Sequence, residues 1–249
     1  MEVVLLGTGA PLCPGRAGLG LLLRAEGLPP LLLDTCGGLE LADRLYRVGQ
    51  PIEDLRHVIV THSHGDHMAG AMALALARVP CTYYGLPHTL SAVQALIRLT
   101  YGEYDLNPQT GYTPIEAGQA YRIAGYEVGF FAMPHRVPTV AVRVRAGHSV
   151  VAYSADGLTC AALAECAGGA DLLVCDALCA SGDLEPARLQ FLMHPNARQA
   201  AELAQQAGVK ALALVHLARF ANPQQMLKEA RQHYPGPVSI PDDGQVFVL

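Results

Sequence analysis

No stretch of this chain is rich in lysine or arginine. Its 17 basic residues are outnumbered by 22 acidic ones, for a net charge of −5 with histidine neutral. Holding a long nucleic acid by its phosphates needs a basic block. Long nucleic acid is therefore disfavoured as a partner, although bound cations would offset the deficit locally. Charge is sparse altogether, at 16%, against 51% hydrophobic residues. That balance excludes a disordered chain and supplies a sizeable core. No apolar run approaches the length of a membrane span. The chain enters a strand at Glu2–Leu6 rather than opening on the basic and apolar segments of a secretion signal. The seven cysteines (13, 36, 81, 160, 166, 175 and 179) are odd in number and show no paired zinc spacing. They read as reduced, mostly buried thiols of a cytoplasmic protein, with Cys13 and Cys36 near the rim of a site. No repeat, low-complexity segment or linker interrupts the 249 residues, so 1–249 reads as a single domain.

What is present is concentrated in one place, Thr61-His62-Ser63-His64-Gly65-Asp66-His67. It follows the apolar run Val58-Ile59-Val60 and precedes a small-residue helical stretch. Residues two apart in an extended segment point the same way, so His62, His64 and Asp66 project from one side of a strand end. His67 turns in beside them as the helix starts. Three imidazoles and a carboxylate this close together would be costly to crowd without a cation. Imidazole with carboxylate suits zinc first, with manganese, iron or cobalt as alternatives.

Around this run the pattern alternates between strand and helix. Residues 3–6 form a first strand that ends in Gly7-Thr8-Gly9, with no helix behind it to make a dinucleotide site. A hairpin over 19–24 and 30–34 leads to Asp34 and a helix over 39–48. Helices are expected over 68–78, 87–99, 158–167, 193–207 and 223–233. Strands are expected over 80–84, 171–176 and 210–215, and an antiparallel run over 121–123, 126–132, 138–145 and 148–153. Residues 238–240 and 245–249 read as a closing β pair around Asp242-Asp243-Gly244. Residues 100–118 read as an irregular segment, a lid or a homodimer contact. Residues 177–192 are assigned no element. Periodicity alone supports α/β or α+β.

The His-x-His-x-Asp-His run resembles the signature of the metallo-β-lactamase superfamily, and the resemblance spans nearly the whole chain. It is similar to the branch that contains ribonuclease Z, arylsulfatase-like hydrolases and small phosphodiesterases. The Leu-Gly-Thr-Gly opening, Asp34-Thr35-Cys36-Gly37-Gly38, His135, Tyr153-Ser154-Ala155-Asp156 and the helix–strand–histidine stretch from His194 to His216 carry it. The fold it implies is α/β, a four-layer αββα sandwich. It implies one metal on His62, His64 and His135, a second on Asp66, His67 and His216, and Asp156 bridging them. The cofactors would thus be two divalent metal ions, zinc first.

Asp34 would sit beneath the metal histidines, or else cap the next helix. Asp176 would orient His194 or another ligand, or cap a turn. Asp66 and His194 are the candidate catalytic residues: Asp66 to orient the nucleophile, a metal-activated hydroxide, and His194 to protonate the leaving oxygen.

Bacterial tRNA-processing members of this branch carry a long arm between the third-motif histidine and the bridging aspartate. Here only twenty residues, 136–155, separate the two, and they read as strands. The expected substrate is therefore a small phosphodiester, cyclic ones included, with Arg136 as either a phosphate contact or a surface charge. A lactonase, thioesterase or arylsulfatase on the same site, a ribonuclease Z-like endonuclease disfavoured by the missing arm, and a binding protein with a structural metal are the other readings.

Overall fold

A computed structural model of the chain describes residues 1–102 and 109–249. The first half opens with strands β1 (Glu2–Gly7), β2 (Gly20–Arg24) and β3 (Leu31–Leu33), then helix α1 (Glu40–Arg47). Strand β4 (His57–Ile59), helices α2 (Gly65–Met68) and α3 (Ala71–Leu76), strand β5 (Thr82–Gly85), helix α4 (Pro87–Tyr101) and strand β6 (Gly111–Pro114) follow. The second half runs through the antiparallel strands β7 (Ala120–Ile123), β8 (Tyr126–Met133), β9 (Thr139–Ala146) and β10 (Ser149–Tyr153). Helix α5 (Ala161–Ala167), strand β11 (Leu172–Asp176) and helices α6 (Pro186–Leu192) and α7 (Ala197–Ala207) come next. Strand β12 (Leu212–Val215), helix α8 (Pro223–His233) and strands β13 (Val238–Ser239) and β14 (Val246–Val248) complete the chain.

The strands form two seven-stranded sheets, β14-β1-β2-β3-β4-β5-β6 and β13-β12-β11-β10-β9-β8-β7. Alternation along each strand divides its residues between two cores. Val3 and Leu5 of β1, Leu21 and Leu23 of β2, and Val140, Val142 and Val144 of β9 fill the space between the sheets. Val4, Leu6 and Leu22 turn the other way, onto Leu41, Leu45, Leu74 and Val93 of α1, α3 and α4. In the second sheet Leu173, Cys175, Leu212 and Leu214 meet α5, α7 and α8. Both faces of both sheets are covered, which explains runs such as Leu21-Leu22-Leu23 and Leu31-Leu32-Leu33 with no polar residue among them. The result is the four-layer αββα arrangement expected from the resemblance.

Some local expectations need correction. The closing β pair does not exist: β13 joins the parallel edge of the second sheet beside β12, and β14 pairs antiparallel with β1 in the first. Asp243 explains the crossing between sheets. Its carboxylate accepts from Thr8 Oγ1 and Ala17 N, each at 2.7 Å, and faces Arg44 at 3.4 Å, anchoring the turn to the first sheet. The helix expected over 68–78 is broken into α2 and α3. The His67 carbonyl is taken by Thr35, at 2.6 Å from its N and 2.9 Å from its Oγ1, so the helical ladder is interrupted. Gly70 permits this approach, since a Cβ there would lie 1.7 Å from the Thr35 carbonyl oxygen.

The segment 100–118 is not wholly irregular. α4 continues to Tyr101, and β6 adds in parallel to the open edge of β5, with Tyr112 stacked on Tyr83. Residues 103–108, on which the lid or dimer reading mainly rested, lie outside the described residues. Among the described residues no helix is long and apolar enough to cross a membrane.

Candidate metal centre

Strands β3 to β6 are parallel, as are β10 to β13. Crevices outside the carboxyl ends of parallel strands are where such sheets bind ligands. Asp34 follows β3, the His62–His67 run follows β4, Asp156 follows β10, Asp176 ends β11 and His216 follows β12. His135 enters from the β8–β9 turn, and His194 from the stretch between α6 and α7. Asp34 and His216 both take a left-handed backbone, φ 57° and 62°. L-residues rarely adopt it, and its cost is characteristic of functional sites. The His216 N–H is held by the Thr8 carbonyl at 2.8 Å, so the glycine loop after β1 braces this turn.

Seven of the expected residues converge, in two overlapping groups. His62, His64, His135 and Asp156 form one, and Asp66, His67, Asp156 and His216 the other; within each, one nitrogen or oxygen per residue lies within 4.8 Å of all the rest. In the first, His64 Nδ1 is 3.2 Å from both His62 Nε2 and His135 Nε2. Asp156 Oδ2 is 3.6 Å from His62 Nε2 and 3.8 Å from His135 Nε2. In the second, His216 Nε2 is 3.3 Å from Asp66 Oδ2 and from Asp156 Oδ2. His67 Nε2 is 3.2 Å from Asp156 Oδ1 and 3.6 Å from Asp66 Oδ2. Asp156 thus stands between the groups. His194 joins from the side, its ring 4.7 Å from that of His216 and 5.2 Å from that of His135. His62, His67, Asp156 and His216 are buried, whereas His64, Asp66 and His194 are only half-buried and mark the open side.

The donors around these rings fix how each is presented. The Asp34 carboxylate is fully buried and caps no helix. It accepts from Thr61 N at 2.8 Å, from Thr61 Oγ1, from His67 Nδ1 at 2.7 Å and from Tyr153 Oη at 2.8 Å. With Nδ1–H committed to Asp34, a neutral His67 turns a lone pair at Nε2 toward two carboxylates. Both His67 Nε2 and Asp156 Oδ1 are buried without a hydrogen-bond partner. A buried lone pair facing anionic oxygens is destabilising unless a proton or cation lies between them, so the donor set fits divalent metal. Asp176, also buried, is not a turn cap. Its Oδ2 meets His194 Nδ1 at 2.7 Å, and its Oδ1 lies 3.4 Å from His216 Nδ1.

Electrostatics separate the two groups. Burial pulls His135 down to about 4 and also lowers His64, since neighbouring imidazoles act with it against Asp156. Burial would lower His216 as well, but Asp156 and Asp176 carry it up to about 10. His67 rises well above its ordinary value in the same way, against burial, through Asp156, Asp34 and Asp66. Burial pushes Asp66 up, yet His67 and His216 outweigh it and hold the carboxyl down to about 2.

Sequence reasoning missed Tyr153 and Thr61 as supports of Asp34, and the second contact of Asp176. The Tyr-Ser-Ala-Asp stretch was the available signal for Tyr153. Cys36 is fully buried in the core under α1, not at the rim, and no cysteine joins a metal-holding group among the described residues. Cys13 is half-buried.

A model of the beta-lactamase superfamily domain matches residues 31–217, the span that holds every one of these side chains. The chain belongs to the beta-lactamase superfamily. It is 31% identical over 241 residues to a ribonuclease Z of Mycobacterium sp. (strain KMS), covering 87% of this chain and 84% of that protein. The metallo-beta-lactamase fold protein YhfI from Bacillus subtilis superposes with a TM-score of 0.85 at 25% identity, over 99% of this chain and 98% of that one. Human tRNase Z, short form, gives a TM-score of 0.76 at 21% identity over 100% of this chain and 99% of that one, a likeness of fold. The superfamily fold therefore accounts for the pair of seven-stranded sheets and for where their loops meet.

Proposed function

We propose that this metal-dependent hydrolase cleaves small phosphodiesters, cyclic ones among them, with two divalent ions, zinc by preference. His62, His64 and His135 would hold one ion, and Asp66, His67 and His216 the other, with Asp156 shared between the two groups. When bound, the ions supply Lewis acidity that polarises the ester and acidifies water, which suits the charge that builds up at phosphorus. The chain's own groups do the rest. Asp34, through the Nδ1–H of His67, and Asp176, through His216, keep the ring nitrogens aimed inward. Half-buried Asp66 orients the attacking water from the open side. His194, with Nδ1 held by Asp176, has Nε2 free to give a proton to the departing oxygen. The buried surroundings of Asp156 keep competing water from its oxygens.

The observation that carries this reading is the single buried carboxylate of Asp156 shared by two ligand groups. Phosphodiester bonds are also what an enzyme named ribonuclease breaks, and the mycobacterial relative bears that name. Hydrolysis of bis-p-nitrophenyl phosphate tests it. Turnover that disappears on chelation, returns with zinc or manganese and is lost in His64→Ala supports it. Turnover of lactones, thioesters or sulfate esters instead, with none of this diester, sinks it. A tRNA precursor assayed in parallel tests the RNA-processing alternative that the relative's name raises.

A further inference from the structure

The geometry points to a second phosphate-binding subsite on the lip of this site, formed by Arg136 and Arg188, which share the Phe191 ring. The inference rests on the phosphodiester reading above and narrows it to substrates that carry another phosphate beyond the scissile one. Arg136 directly follows His135 in the β8–β9 turn. Its guanidinium lies 4.3 Å from the centre of the Phe191 ring, and its Nη2 donates to the Phe191 carbonyl. The Arg188 guanidinium lies 5.2 Å from the same ring. Phe191 is 58% exposed, a large apolar side chain left in solvent near the end of α6.

That end of α6 belongs to the rim. His135 Nδ1 lies 3.4 Å from the carbonyl of Met193, and His194 follows immediately with its ring 5.2 Å from that of His135. Met193 turns through a left-handed backbone, φ 62°, which ends the helix and sends His194 inward while Phe191 stays outside. One short helix therefore carries Arg188 and Phe191 and leads directly into the candidate proton donor, while Arg136 reaches the same ring from the β8–β9 turn.

Among the described residues neither arginine has a carboxylate partner, whereas Arg16, Arg24, Arg44, Arg47, Arg122, Arg145 and Arg198 each have one. In a chain with an excess of acid, two cations left unpaired on one aromatic ring are a resource for an anion from outside. Stacking on the ring holds each guanidinium plane and leaves N–H groups at its edge free. Such edges match a phosphate in fork geometry, where lysine would offer only a point charge.

Two chromogenic diesters separate this inference from its premise. Thymidine 3′-phosphate 5′-(p-nitrophenyl phosphate) carries the extra phosphate, and thymidine 5′-(p-nitrophenyl phosphate) lacks it; both release p-nitrophenol. The expected result is about a tenfold preference in kcat/KM for the first, carried by KM, as suits charge-assisted contacts at a partly exposed site. The preference should fall toward one in Arg136→Gln and in Arg188→Gln, and return in part in Arg188→Lys. Arg188→Gln decides the matter if Arg136→Gln fails to fold. Turnover of both esters with no preference, or a preference that both glutamine variants keep, overturns the subsite alone. Turnover of neither ester overturns the phosphodiester reading and the subsite together.

Discussion

The trio His62, His64 and His135 and the group Asp66, His67 and His216 share Asp156 but differ in the charge around them. The trio meets only that one carboxylate. The second group has Asp66 and Asp156 in front of its rings and Asp34 and Asp176 behind them. Before any cation arrives, burial keeps His64 and His135 from charging, whereas His67 and His216 are held protonated by acid neighbours. Imidazole alone therefore does not define a metal site. One group is open to a cation at neutral pH, and the other must first give up protons.

Asp156→Ala removes what the two groups share and should have the largest effect. Loss of both ions and a fall in diester turnover of about a thousandfold or more are expected, read by metal analysis beside kinetics. Single substitutions then divide the pair. His64→Ala and Asp66→Ala should each leave about one ion bound per chain. Loss of both ions from both variants would show that the groups do not act as two sites.

Asp34→Asn comes next, because it weakens the acceptor for His67 Nδ1–H directly and reaches the trio only through Thr61, whose Oγ1 lies 3.0 Å from His62 Nδ1. The expected loss of metal affinity is about 10-fold to 100-fold at the second group and smaller at the trio. An equal loss at the trio, read by titration of His64→Ala and Asp66→Ala backgrounds, would contradict it. Tyr153→Phe removes one of the four contacts to Asp34 and should cost about 1 kcal/mol in unfolding free energy.

The smallest effect is in protons. At pH 8 a cation entering the second group should displace one to two protons, and a cation entering the trio almost none. Calorimetry in buffers of different ionisation enthalpy reads the difference. The same shifts set the stability of the cation-free chain. His216, raised from 6.5 to about 10, contributes fully below its ordinary value, and the contribution fades as pH climbs through 10. Asp66, lowered from 3.8 to about 2, contributes above 3.8 and loses that contribution as pH falls through 2.

The converging histidines and aspartates were legible because their density had no cheaper physical explanation. His62 to His67 announce themselves by spacing, and His135, Asp156 and His216 by the strands they follow. What stayed hidden was tertiary. Nothing local to Tyr153 or Thr61 says that both point at Asp34, 119 positions away in one case and 27 in the other. α6 was missed because seven residues behind Pro186 are too few to show a period, although that helix brings both His194 and Arg188 to the rim. The layers could be read from alternation, but the closing strands could not. Both are short and apolar, and only the grip of Asp243 on Thr8 and Ala17 sends them to different sheets.

Anomalous diffraction from crystals soaked in zinc asks most directly whether two ions sit here. Two peaks are expected on opposite sides of the Asp156 carboxylate, one among His62, His64 and His135 and the other among Asp66, His67 and His216. A single peak, or none within reach of Asp156, would contradict the two-ion site and the hydrolytic chemistry built on it.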